Sequence, residues 1–325
     1  MAGNVKLQAI TAGILTPAVA LIRRKCLTLL LFNHSIFHLI FCFIMPAHLP
    51  HKIKTFQKKH GINYTELLGF NPKTNKNDIL TYAHHMLPSD LSGAINVCPG
   101  AGNCKKTCLH FAGNPAYMKG KNAKRLRQTL AFADDQNLYL ETLFLAICRA
   151  IVKHEGEQIA FRLNATSDIM WESLKFDLSP DVADFAAQRF GIKFLAGRAA
   201  NILELFEPFN VIFYDYTKLK RDWQRCRDLN YHLTVSFDGH DNIRNHKIVA
   251  DGIKNGVNVA AAFNIKKSEP LPQFINLCGH RLPVLDGDIS DSRFDDVAGC
   301  IIGLRFKQPR GTIYNQENVS NFCVI

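Results

Sequence analysis

Three cysteines, Cys98, Cys104 and Cys108, fall within eleven residues of the stretch NVCPGAGNCKKTCLH, and His110 stands two places on. Thiolates bind soft and borderline metals, and a short loop offers several of them at small entropic cost. Pro99, Gly100 and Gly102 let the chain curl between the thiols. Three thiolates without a close fourth suit a [4Fe-4S] cluster that keeps one iron open to S-adenosylmethionine or a substrate. The same thiols with His110 as a fourth ligand would make a closed Cys3His zinc site. Three reduced thiols that bind nothing are the third reading. The seven other cysteines lie singly, mostly in apolar stretches, and read as small buried hydrophobes. That usage is unlike a secreted disulfide framework and points to a reducing, cytoplasmic compartment.

A second cluster is acidic. The segment DGDISDSRFDD carries Asp286, Asp288, Asp291, Asp295 and Asp296. Carboxylates at alternate positions of a strand end can share a hard cation such as Mg²⁺ or Mn²⁺. Asp side chains that cap their own turns are the competing reading. The twelve-residue EF-hand pattern with its closing Glu is missing.

Both clusters need a frame. KGKNAKRLRQTLAFADDQNLYLETLFLAICRAIVKH reads as helix, with Leu140, Leu143, Phe144, Ile147 and Ile151 near helical spacing. Beyond it, strands alternate with helices: QIAFRLNATSD, then SPDVADFAAQRFG and AANILELFE as helices, the strand NVIFYDYTK, the helix LKRDWQRCRDLN, the strand YHLTVSFDG, the helix NHKIVADGIKNG, and the strands VNVAAAFNI, HRLPVLDGD and CIIGLRFK. This order predicts an α/β fold with a mainly parallel sheet and crossover helices, either open or closed into a full or partial barrel. Each strand begins apolar and ends polar. Parallel strands open their carboxyl ends on one rim, where sites are built. Asp168, Asp215, Asp238, Asp286 and Asp288 are therefore the candidate catalytic carboxylates, and Asn164, Ser167, Lys218 and Ser236 the candidate cofactor contacts.

The chain of 325 residues has 47% hydrophobic and 21% charged residues, ordinary for a globular protein, and a formal charge of +11. Lys119, Lys121, Lys124, Arg125 and Arg127 cluster at the opening of the long helix, either as a solvated face or as a nucleic-acid contact. Residues 1–44 contain no acid and break from the rest. Cys26 to Ile44 is an apolar run of nineteen residues, long enough to span a bilayer, but Asn33, His34, Ser35 and His38 interrupt it. Met45 then opens an ordinary soluble-looking segment. An over-extended start, with residues 45–325 as a single α/β domain, is the favoured reading, and a membrane anchor the runner-up. No stable membrane insertion is expected.

Taken in order, CPGAGNCKKTC, RLNATSD, FYDYTK and DGDISDSRFDD…GCIIGLRFK resemble the phage gene product 88 family over roughly residues 90 to 308. The resemblance implies a phage or mobile-element context and no particular reaction. The layout of a cysteine loop leading into a parallel α/β sheet is also similar to that of radical S-adenosylmethionine enzymes. The spacing departs from theirs: five then three residues separate the cysteines here, against three then two, and Thr107 stands where an aromatic commonly precedes the last cysteine. Two function classes follow. One is a metallo-enzyme with a cluster on the cysteine loop and substrate at the strand ends. The other is a structural zinc protein that binds or hydrolyses nucleic acid.

Overall fold

A computed structural model describes residues 47–70, 79–112, 119–308 and 315–325. The first described elements are helices α1 (His51–His60) and α2 (Tyr64–Leu67), strands β1 (Leu68–Phe70) and β2 (Leu80–His84), and the short helix α3 (Asn103–Lys106) inside the cysteine loop. Helices α4 (Lys119–Asp134) and α5 (Gln136–Lys153) lead to β3 (Ile159–Arg162), β4 (Phe176–Asp177), α6 (Pro180–Phe190), β5 (Ala199–Ala200) and α7 (Ile202–Phe206). Then come β6 (Val211–Thr217), α8 (Trp223–Asp228), β7 (Tyr231–Ser236), α9 (Ile243–Lys254) and β8 (Val259–Phe263), and finally β9 (Phe274–Leu277), β10 (His280–Asp286), β11 (Ile301–Arg305) and α10 (Gln316–Phe322).

Nine strands form one sheet in the order β1-β2-β3-β6-β7-β8-β11-β10-β9. All neighbours from β2 through β10 pair in parallel, while β1 and β9 are antiparallel edges. The sheet is thus open; of the expected alternatives, the full barrel is excluded because β1 and β9 do not meet. From β2 to β8 the spatial order of neighbours follows the chain order. Right-handed crossovers between successive neighbours place their helices on the same face.

The core shows that one-sidedness. Leu140, Leu143, Phe144 and Ile147 of α5 pack with Phe161 of β3 and Phe213 of β6, and Ile248 and Val249 of α9 pack with Val235, Val259 and Ile301. The rings of Tyr82, Phe161 and Phe213 stack in a row across three strands, with centroids 6.0 and 5.5 Å apart. On the opposite face lie Ala160, Ile212 and Tyr214, covered by Phe294 from the acidic loop rather than by a helix.

The helix predicted over residues 119–153 is two helices. Asp135 leaves helical geometry with φ −147°, and its carboxylate accepts the Leu138 N–H at 2.9 Å, so it caps α5 and ends the run. Residues 1–44 lie outside the described residues, as does most of the polar turn within GFNPKTNKND. Among the described residues, no helix is long and apolar enough to cross a membrane. Of the singly placed cysteines among the described residues, Cys148, Cys226, Cys300 and Cys323 are buried, as expected of small hydrophobes, while Cys278 is only half-buried; Cys26 and Cys42 lie outside the described residues.

Phe161 is fully buried between two stacked rings and the helix layer. Phe161→Ala is expected to cost about 3–5 kcal/mol in urea denaturation; a loss under about 1 kcal/mol would show that this row does not hold the sheet to its helices.

Candidate functional site at the carboxyl rim

The cysteine loop follows β2 and is tied to the ends of three other strands. Val97 C=O accepts the Asp168 N–H at 2.8 Å, joining the loop to the turn after β3. Cys98 Sγ accepts the Ser89 N–H at 3.3 Å and lies 3.8 Å from Thr166 C=O. Past the end of β7, the fully buried Asp238 carboxylate accepts N–H groups of Gly102 at 2.8 Å, Asn103 at 3.1 Å and Cys104 at 2.7 Å. These are free donors at the start of α3, and a carboxylate there satisfies them and faces the positive end of the turn. Gly102 is required by the close approach: a Cβ would sit 2.6 Å from Asp238 Oδ2 and 2.7 Å from Asn242 Nδ2. The third tie is Lys218, past the end of β6, whose charge interacts with Cys104.

Cys108 Sγ accepts the His110 N–H at 3.5 Å, and His110 Nδ1 lies 3.1 Å from the Arg125 guanidinium. Arginine only donates, so Nδ1 is the acceptor and the ring proton sits on Nε2. Burial, then the Arg125 charge, holds His110 below the usual imidazole range. Burial pushes the Cys98 thiol up to about 12 and the Cys108 thiol up to about 11, so both are neutral unless a cation takes up their charge. Burial also works against charge on Lys218, but Cys104, Asp238 and Asp168 outweigh it and hold its pKa well above the ordinary lysine value.

Cys98, Cys104 and Cys108 line one cavity of about 280 Å³ on the face of the sheet opposite α5 and α9. Its wall continues through Arg162 of β3, Tyr216 of β6, Ser236 of β7, Ala260 and Ala262 of β8 and Leu304 of β11, with Asp288, Asp291 and Phe322 at its margin. A single zinc ion needs its ligands converged at about 2.0–2.3 Å from one point. Among the described residues, no group of three or more His, Cys, Asp or Glu side chains is so converged.

The residues predicted at the rim divide by role. Lys218, Ser236, Asp168 and Asp288 line the cavity with Asn164 and Ser167; Asp215, Asp238 and Asp286 do not. Asp168 is buried and accepts from Thr217 Oγ1 at 2.8 Å, Lys218 N at 2.7 Å and Arg221 Nη2 at 2.8 Å. Arg221 also grips Glu172 with both carboxylate oxygens at 2.9 Å. Asp168 therefore belongs to a buried ion-pair network, and its neutralisation is expected to weaken the fold rather than leave it intact. Asp215 points to the helix side, where it accepts from Asn164 N at 2.7 Å and Tyr231 Oη at 2.8 Å. Asp286 and Asp288 hold Arg305, at 2.9 and 3.2 Å. Asn164 Oδ1 receives Ser167 Oγ, Ile169 N and Trp171 Nε1, so both Asn164 and Ser167 shape the turn that faces Cys98. The basic helix opening is not one surface: Arg125 is buried against His110, Lys124 donates to Glu66 C=O, and Arg127 donates to Gly61 C=O at 3.0 Å. Lys119 and Lys121 are exposed.

Arg162 was missed among the predicted site residues. Its signal is a single charge inside the apolar strand IAFRL, which alternation places on the face opposite Phe161. Together the sheet and loop define an α/β protein with a consecutively wound parallel sheet and a cysteine loop over its carboxyl rim. The chain belongs to the Gene product 88 family, whose profile matches residues 56–324. No curated protein and no solved structure matches it.

Two expectations follow from these contacts. Asp238→Ala orphans three N–H groups and is expected to cost about 3 kcal/mol or more while speeding thiol labelling of Cys104; unchanged labelling would show that the loop is held elsewhere. Burial raises Asp215 to about 7, against the pull of Arg162 and of the hydrogen bonds from Asn164 and Tyr231. Its unfolded value is about 3.9, so the folded state holds the proton more tightly and stability falls as pH rises from about 4 to about 7. Asp215→Asn is expected to flatten that slope in denaturant titrations across this range, and an unchanged slope would contradict the assignment.

Proposed function

We propose that Cys98, Cys104 and Cys108 hold a [4Fe-4S] cluster at the mouth of the cavity, and that the protein is an S-adenosylmethionine-dependent enzyme. The observation that carries this reading is the placement of all three thiols on the wall of one cavity at the carboxyl rim. Thiolates around a cube of iron and sulfide stand farther apart than ligands around one ion, which suits thiols that share a wall without converging on a point. Lys218 beside Cys104 and Arg125 near Cys108 supply positive charge to offset the thiolates. Cys98, Cys104 and Cys108 would hold the cluster, which would supply reducing electrons to an S-adenosylmethionine bound at its open iron. The chain's own part is to fix the loop through Asp238 and to present Ser236 and Lys218 to whatever enters.

Anaerobic reconstitution with ferrous iron and sulfide tests the reading. About four irons per chain are expected, with broad visible absorption that dithionite bleaches. Each of Cys98→Ser, Cys104→Ser and Cys108→Ser should lower the iron content. Full iron in all three variants contradicts the site. Zinc in the purified protein, lost in His110→Ala as in the cysteine variants, would assign a Cys3His site instead.

A further inference from the structure

Arg162 carries an observation that the cluster does not absorb. It is an arginine in an inner strand of the sheet, on the face opposite α5 and α9, and its side chain lines the cavity. Its guanidinium carbon lies over the Tyr216 ring, 4.9 Å from the ring centroid. Among the described residues, Nε is buried with no hydrogen-bond partner, and the side chain forms no ion pair. The other charges on the wall are largely committed: Asp168 to Arg221, Asp288 to Arg305, Lys218 to Cys104. Asp215, on the other face of the sheet, and Asp291 act on Arg162 only through their charge, with no ion pair formed.

Arg162 is half-buried, and its buried, unpartnered Nε is a donor that is costly to leave unmet unless an anion reaches it. The space in front of it is made by short side chains, Ser236, Ala260 and Ala262, on adjacent strands where a parallel sheet usually carries large ones. Leu304 and Phe322 give the same hollow an apolar border. A cavity of about 280 Å³ takes a small molecule rather than a polymer.

We propose that this hollow binds a small organic anion, with its carboxylate or phosphate on the Arg162 fork and its apolar body over Ala260 and Ala262. The assignment stands on Arg162 and the strands, apart from the cluster on the thiols. Arginine meets either oxyanion through two parallel N–H donors, so the two are separated by experiment.

Calorimetric titration with benzoate, phenyl phosphate and the neutral isostere benzamide tests it. The wild-type protein is expected to bind one of the two anions at least tenfold more tightly than benzamide. Which anion wins names the headgroup. Arg162→Gln is expected to bring anion and amide within twofold of each other, with the melting temperature level or higher because an unpartnered buried donor is gone. Equal binding of all three by the wild type, or an anion preference that survives Arg162→Gln, overturns the proposal. Should that variant fail to fold, Ala262→Leu fills the hollow and leaves Arg162 in place, and anion binding that persists at wild-type strength overturns it equally. The Cys98→Ser/Cys104→Ser/Cys108→Ser variant is expected to keep the preference; loss there would move the anion to the thiol wall and refute the Arg162 assignment.

Discussion

One buried carboxylate decides where the cysteine loop sits. Asp238 collects three consecutive N–H groups from Gly102, Asn103 and Cys104, and a fourth donor from Asn242, with no exposure to solvent. Charge-assisted bonds of this kind are roughly twice as strong as neutral ones, and each donor left unpaired in a dry site is costly. In its described part, residues 85–112, the loop after β2 carries no element longer than the four-residue α3. Without this anchor past β7, nothing in its local sequence would turn its thiols toward the sheet. The Val97 contact to Asp168 and the Lys218 contact to Cys104 then fix the rest of the loop against β3 and β6.

The winding of the sheet makes room for that loop. Because neighbours succeed one another in chain order, the helices gather on one face and bury the large side chains of α5 and α9 there. The other face is left to short residues, to Tyr214 under Phe294, and to the cavity. An alternating sheet with helices on both faces would have filled that space. The polar rim and the hollow beneath it are thus consequences of topology, and the ion pairs of Asp168, Arg221 and Glu172 keep the rim rigid.

Much of this was legible in the residues, for physical reasons that also mark where reading stopped. Strands and helices after residue 157 stand out because apolar runs alternate with capped amphipathic segments. The rim was found because each strand turns polar at its end. Which way each polar side chain points was not, because a step of one residue exchanges faces: Tyr214 and Tyr216 face away from the helices, while Asp215 between them enters the helix-side core. Asp238 and Asp168 were singled out as reactive carboxylates, yet their partners lie far off in sequence, on the cysteine loop and at Arg221. Pairing at such separation is set by the fold, not by local pattern. Arg125 looked like surface charge for the same reason, and is buried against His110. The break at Asp135 was hidden by continuous helical periodicity on either side of a single cap.

We propose that three thiols hold a cluster with one iron left open beside the cavity. The electron paramagnetic resonance spectrum of the dithionite-reduced, reconstituted protein tests it most directly, recorded before and after addition of S-adenosylmethionine. A reduced-cluster signal whose g values shift when S-adenosylmethionine is added is the expected result. A reduced-cluster signal that S-adenosylmethionine leaves unchanged, or no cluster signal from the reconstituted protein, would contradict it.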